Sequence, residues 1–267
     1  MEKLGILAGV GKLPVECAKA AQAQGFEVYS IALLPDTDPD IEKFSTKCEK
    51  ISVANLELLL NFLQSNDIHL VTMIGKVTKE LLFKAQVMPD QKMMQLILSL
   101  PDQKDDTIML AFVAELEKIG VKTFDQTALI KSLMPPAGIL TARVPDDREN
   151  ADIEFGFEVA KKIGDLDIGQ TVVVKNRAVM AVEAIEGTDE CILRGGKLAN
   201  GGAVVVKVEK PQQDNRFDVP AVGAKTIEVM NEAGASVLAI EADKTLLVER
   251  EKVLELAEKY NLAIVVR

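Results

Sequence analysis

Short apolar runs alternate with amphipathic stretches along the first half of the chain. Leu4 to Ala8 is apolar enough for a strand buried on both faces, and Pro14 to Gln24 has helical spacing until Gly25 ends it. Glu27 to Leu33 reads as a second strand, followed by a Pro/Asp-rich loop. Leu56 to Leu63 reads as a helix and Leu70 to Ile74 as a third buried strand. Helical spacing returns at Lys92–Leu100 and Thr107–Ile119, with a strand near Val121–Thr123. Strands alternating with helices in this way predict a parallel, doubly wound sheet.

The pattern breaks at Met134-Pro135-Pro136-Ala137-Gly138, because paired prolines cannot continue a helix. This places an N-terminal domain at 1–133, a linker at 134–146 and a C-terminal α/β domain at 147–267. In the latter, Asn150–Lys162 reads as a helix. Thr171–Val174 and Ala178–Val182 flank Lys175-Asn176-Arg177 as a β-hairpin, and Ala203–Val208 is a strand. A helix at Thr226–Ala233, strands at Ser236–Glu241 and Thr245–Val248, a helix at Arg250–Tyr260 and a strand at Leu262–Val266 complete it.

Composition narrows the chemistry. With 267 residues and 48% hydrophobic positions the chain can build two cores, and a net charge of −10 argues against nucleic acid as a partner. No apolar run approaches the ~20 residues of a membrane span, and the N-terminus has no signal-peptide pattern. Cys17, Cys48 and Cys191 are odd in number and widely spaced, as suits a cytoplasmic protein. The single histidine, His69, excludes metal centres built on several histidines. Its place at the start of a buried-looking strand favours a structural role over a catalytic triad. Hydrolysis would then rest on carboxylates, lysines and an oxygen-liganded ion such as Mg²⁺.

Four segments carry candidate chemistry. Gly9-Val10-Gly11-Lys12-Leu13-Pro14 joins the first strand to the first helix at the sheet edge where ligands bind, so Gly11, Lys12 and Leu13 are candidate substrate contacts. A tight turn explains the glycines equally well. Gly75 and Lys76 follow the third strand at the same edge. Lys104-Asp105-Asp106-Thr107 resembles a helix start, which alone accounts for its acids. Glu183, Glu186 and Asp189 cluster before a predicted helix capped by Thr188 or Asp189, and Lys175 and Lys207 end strands that would flank the same cavity. The last segment runs from Lys207 through Gln212, Asp214 and Asp218 to Gly223. Its acids, four residues apart, are within reach of one ion if the loop is extended; a solvated surface turn is the plainer alternative.

Taken together, Gly169-Gln170-Thr171-Val172-Val173-Val174, Val182 to Asp189, Lys210 to Asp214 and Arg216 to Gly223 resemble the LpxI-type UDP-2,3-diacylglucosamine pyrophosphatases of lipid A biosynthesis. The likeness includes Gly5 to Gly9 and Lys12-Leu13-Pro14, and so nearly the whole chain. It implies a Rossmann-like N-terminal domain, a distinctive C-terminal domain, and a lipid-linked sugar nucleotide held between them. The implied reaction is Mg²⁺-dependent hydrolysis of the pyrophosphate to lipid X (2,3-diacylglucosamine 1-phosphate) and UMP. The essential aspartate of the family motif falls on Asp218, in Asp218-Val219-Pro220-Ala221-Val222-Gly223, where it is either a metal ligand or a general base. Asp214 and Glu186 are the further candidate metal ligands. Two departures touch the N-terminal domain: Val10 interrupts a run of glycines, and Lys79 stands where arginine is more usual. Membrane contact would be at most transient and peripheral, and a homodimer is left open. A non-catalytic sugar-nucleotide or phospholipid sensor is the competing reading. A dehydrogenase is disfavoured by the incomplete glycine fingerprint.

Overall fold

The computed structural model describes residues 1–77, 88–101, 105–212 and 219–267. Lys79, Lys104, Asp214 and Asp218 lie outside them. The described residues divide into two compact units, Met1–Ile130 and Lys131 onward.

In the first unit the apolar runs become β1 (Lys3–Ala8), β2 (Glu27–Ala32) and β4 (Leu70–Ile74), joined by β3 (Lys47–Lys50) and β5 (Lys122–Thr123). The order is β3-β2-β1-β4-β5 and every pairing is parallel. Helices α1 (Leu13–Ala23), α2 (Leu56–Ser65), α3 (Gln91–Ser99), α4 (Asp105–Lys118) and α5 (Thr127–Ile130) are its crossovers and close. β1, β2 and β4 are buried almost throughout, as strands covered on both faces must be. One cluster packs Leu7, Ile31 and Met73 against Leu56, Leu59, Leu63 and Leu116. Edge strand β3 has too many charges to read as a strand from its sequence, and Lys47, Glu49 and Lys50 guard that edge against pairing. Strand order reverses between β1 and β4, so their following loops flank the point where α/β sheets open a crevice.

The second unit holds a sheet in the order β6 (Gly138–Ile139), β13 (Ala263–Val266), β11 (Ala235–Ile240), β9 (Ala203–Lys207), β7 (Thr171–Lys175), β8 (Ala178–Val182). β9, β11 and β13 are parallel, whereas β7 runs against β9, β8 against β7 and β6 against β13. The sheet is therefore mixed. Side chains alternate along each strand. Val172, Val174, Val204 and Val206 meet Ile153, Ala160 and Ile163 of α6 (Asp147–Asp165). Val173, Val205, Leu238 and Ile264 instead meet α7 (Thr188–Ala199), α8 (Ala224–Glu232) and α9 (Arg250–Lys259). A short parallel ribbon pairs β10 (Ala221–Val222) with β12 (Leu246–Leu247).

Local signals explain the ends. α6 opens on a capping box, with Asp146 accepting from the Glu149 amide at 2.8 Å and Glu149 from the Asp146 amide at 3.0 Å. The β7–β8 hairpin turns on Asn176 and Arg177, both near φ +55°, the conformation of a tight two-residue turn. Buried Asp152 accepts both turn amides, at 2.8 and 2.5 Å.

The expected linker at 134–146 departs from its reading. Ile139 pairs with Val265, and the Arg143 guanidinium donates to Glu149 Oε1 at 2.6 Å and to the Ser236 carbonyl at 3.2 Å. The prolines end one pattern, but the segment after them joins the edge of the second sheet. No described helix is long and apolar enough to cross a membrane.

Candidate functional site

The antiparallel insertion of β7 decides what gathers at one edge of the second sheet. Thr171, which opens β7, lies opposite Lys207, which ends β9, while Val182 at the end of β8 lies opposite Val172. Thr171, Glu183 and Lys207 are all buried there. The Lys207 ammonium donates to Thr188 Oγ1 at 3.0 Å, and the Thr188 hydroxyl donates to Glu183 Oε1 at 2.7 Å. Glu183 Oε2 accepts from the Gln170 amide at 3.4 Å. Among the described residues Gln170 Oε1 and Thr171 Oγ1 are buried without a hydrogen-bond partner, polar atoms of the kind a ligand or water satisfies.

One helix begins within this cluster and a second begins at the same sheet edge. α7 starts after Gly187 and α8 after Gly223, and neither has a side-chain cap. Their first amides are thus disposed toward anions. The expected capping role of Thr188 or Asp189 is not the one observed. Gly187 holds the cap position, and Thr188, as the first helical residue, turns its hydroxyl to Glu183 and Lys207 instead.

The described residues on either side of 213–218 lie at this same edge, after β9 and before α8. On the entry side, Lys161 donates to the Glu209 carbonyl at 2.8 Å and to Glu241 Oε2 at 2.6 Å, while the Glu209 amide donates to Glu241 Oε2 at 3.0 Å. Lys244 bridges Glu209 and Glu241 at 3.1 and 3.2 Å. Burial pushes the Glu241 carboxyl up, but Lys161, the Glu209 amide and Lys244 outweigh it and hold it below the ordinary value. Lys210 pairs with Asp167 at 2.7 Å, and Gln212, exposed, reaches Asp165 at 3.5 Å. On the exit side the Pro220 carbonyl accepts from the Leu246 amide at 2.8 Å.

Two expected site residues serve elsewhere. Lys175 does not flank the cavity of Lys207, because β7 and β9 are antiparallel and their final residues fall at opposite sheet edges. Its ammonium caps the end of α7, donating to the carbonyls of Ala199 at 2.7 Å and Gly201 at 2.6 Å. Glu186, offered as a metal ligand, is occupied by the Arg194 guanidinium and by the Ala184 amide at 3.1 Å. Its own backbone N–H, then Arg194, hold its carboxyl below the ordinary range. Nor do the described residues include a cluster of three or more His, Cys, Asp or Glu able to hold a metal.

In the first unit, the loop of Gly11 and Lys12 meets that of Gly75 and Lys76 at the strand-order reversal through Gly9, Val10 and Pro14, while Gly11 itself bridges to Thr37. Val10 and Lys76 exchange both backbone bonds at 2.9 Å, and the Gly9 amide donates to Ile74. A Cβ on Gly9 would lie 2.7 Å from the Gly75 carbonyl carbon, and one on Gly75, at φ +95°, 2.7 Å from Pro14 Cγ. Leu13 opens α1 next to Pro14. Lys12 pairs with Asp38 at 2.6 Å and with Asp40 at 3.8 Å, and its hydrogen bond lowers the Asp38 pKa. His69 is exposed and contacts Asp67 at 3.0 Å, so its side chain is not the structural element its position suggested.

Sequence reasoning did not single out Gln170 or Thr171. Thr171 reads as an ordinary strand residue, and only its place in Gly169-Gln170-Thr171 carried a signal. Gly169 is required because any Cβ there would meet the Glu183 carbonyl oxygen.

A Rossmann-like unit with a glycine-lined switch point, joined to a mixed α/β unit with a Lys–Thr–Glu cluster at the start of α7, defines a two-unit α/β protein. The LpxI N-terminal domain model matches residues 3–133 and the LpxI C-terminal domain model residues 136–265. The chain belongs to the LpxI family. It is 31% identical over 275 residues to the UDP-2,3-diacylglucosamine pyrophosphatase LpxI of Caulobacter vibrioides, covering 99% of this chain and 97% of that protein. Likeness to solved structures is slight. The CobK precorrin-6A reductase gives a TM-score of 0.32 at 14% identity, over 100% of this chain and 87% of that one. The UDP-glucose-4-epimerase of Stenotrophomonas maltophila gives 0.30 at 12% identity, over 45% of this chain and 35% of that one. Neither carries an argument.

Proposed function

We propose that this protein hydrolyses the pyrophosphate of UDP-2,3-diacylglucosamine, releasing UMP and lipid X. The observation that carries the reading is the end-to-end match to the Caulobacter pyrophosphatase. The geometry of the second unit is consistent with it. A pyrophosphate is doubly anionic, and cleavage chiefly requires positioned positive charge around phosphorus and an ordered water. Lys207 and the uncapped starts of α7 and α8 supply positive potential at one sheet edge. Thr171 and Gln170 offer buried polar atoms for a bound hydroxyl or phosphate. The water oxygen adds to phosphorus and gives up its proton to a base or solvent, the bridging P–O bond breaks, and the leaving phosphate departs with the electron pair.

Mg²⁺ dependence is part of the proposal, with Asp218 and Asp214 as its carboxylates. Its support is the family motif ending at Gly223, not the described residues. A bound divalent ion would supply charge neutralisation and a more acidic water.

The test is turnover of UDP-2,3-diacylglucosamine in ¹⁸O-water by wild type and Asp218→Ala, with Mg²⁺ or with EDTA. UMP and lipid X should appear with wild type and Mg²⁺ alone, Asp218→Ala falling by about 10²–10³-fold or more. The product that carries ¹⁸O identifies the phosphorus attacked. Binding of intact substrate without any product would overturn the enzymatic reading.

A further inference from the structure

The geometry points to Glu183 as a positioning residue that, through Thr188, aims the Lys207 ammonium at the substrate phosphates without touching them. This rests on the reaction proposed above and adds to it a residue that holds the binding cation in place. A threonine hydroxyl has one proton to donate, a carboxylate only accepts, and an ammonium only donates. The bonds Lys207–Thr188 at 3.0 Å and Thr188–Glu183 at 2.7 Å therefore have one polarity. The hydroxyl proton goes to Glu183, which leaves the oxygen lone pairs facing Lys207. Without Glu183 the hydroxyl could rotate, and its proton could point at the ammonium instead.

Glu183 is itself fixed. Its other oxygen accepts from the Gln170 amide, and Gly169 lets its backbone pack closely against the start of β7. Both Glu183 and Lys207 are buried, at 8% and 6% exposure, so bulk solvent screens the chain of bonds little. The nearest rival, Glu186, is turned to Arg194 and so is not the partner of Thr188. A lysine on a flexible four-carbon stem loses freedom on binding an anion, and a pre-aimed one loses less. Thr188 stands at the first turn of α7, so the ammonium is fixed beside amides that also favour an anion.

The experiment measures UMP release by wild type, Glu183→Gln, Glu183→Ala, Thr188→Val and each Glu183 variant combined with Thr188→Val, with a thermal melt of each. Glu183→Ala should lower kcat/KM by about 10²-fold. Glu183→Gln, which keeps an acceptor, should recover part of that loss. Adding either to Thr188→Val should cost little more, because residues acting through one contact are not additive. Additive losses, or losses that track the melting temperature, would overturn the proposal. Glu183→Gln carries the comparison if Glu183→Ala does not fold. An activity-independent arm follows the ¹⁵N resonance of the Lys207 ammonium, assigned by its absence in Lys207→Met. Slow proton exchange in wild type that quickens in Glu183→Gln supports the role; equal exchange rates sink it. Absent UMP release by wild type would count against the proposed reaction alone, and the resonance would still decide on Glu183.

Discussion

Lys175 and Lys207 end neighbouring strands, and in the sequence they look like a pair. Strand direction separates them. Lys175 holds two carbonyls at the end of α7, where positive charge also complements the helix dipole. Replacing Lys175 with Met should cost about 1–3 kcal/mol of stability, read by urea denaturation, while kcat per folded molecule stays within about twofold of wild type. A large fall in kcat would return Lys175 to the site. Asp152 is the second test at this scale. Its buried carboxylate accepts both amides of the hairpin turn, and Asp152→Ala leaves those donors unpaired. The expected loss is about 2–4 kcal/mol; Asp152→Asn, which keeps an acceptor oxygen, should lose less.

At the scale of elements, the loops after β1 and β4 form one interlocked unit. Gly75 adopts a left-handed backbone and packs against Pro14, so Gly75→Ala meets strain and collision together. It should lower the thermal midpoint by several degrees, about 1–3 kcal/mol. An unchanged midpoint would mean that the loop relaxes freely. This pairing was half legible beforehand. Apolar periodicity located β1, β4, α1 and α6, because buried strands and amphipathic helices write their period into the sequence. It located Gly9 and Gly75 at one sheet edge, but not the backbone bonds between Val10 and Lys76, which leave no mark on side-chain pattern. Charged edge strand β3 and two-residue β6 went unread for a related reason: both are held by backbone pairing with little apolar burial of their own. In the candidate site, Lys207 and Thr188 were legible as residue types at element ends. Their direct bond, and the onward bond from Thr188 to Glu183, depend on tertiary pairing of β7 with β9, which no local spacing encodes.

For the molecule as a whole, acid is the expected weakness. The chain carries 41 Asp and Glu against 31 Lys and Arg. Asp38, Glu149 and Glu241 all have carboxyls lowered in the folded state by their partners. A lowered folded pKa contributes stability above the unfolded value, about 3.9 for Asp and 4.3 for Glu, that is lost as pH falls through the folded value. The urea midpoint should therefore hold steady from about pH 8 to pH 6 and drop below about pH 4.5. Glu241→Gln should be destabilised by about 1–2 kcal/mol near neutrality, with the gap from wild type narrowing in acid. A gap that stays constant with pH would show that Glu241 acts by shape and not by charge. The three cysteines add a practical consequence. Cys17 and Cys191 are buried, and burial pushes both thiols up to about 12, which leaves almost no thiolate to react near neutrality. Cys48 lies on edge strand β3 and is only partly covered. A maleimide dye should therefore attach to Cys48 alone in the unmutated protein, giving a single fluorescent reporter on the first unit, at the far side of β2 from the switch-point loops.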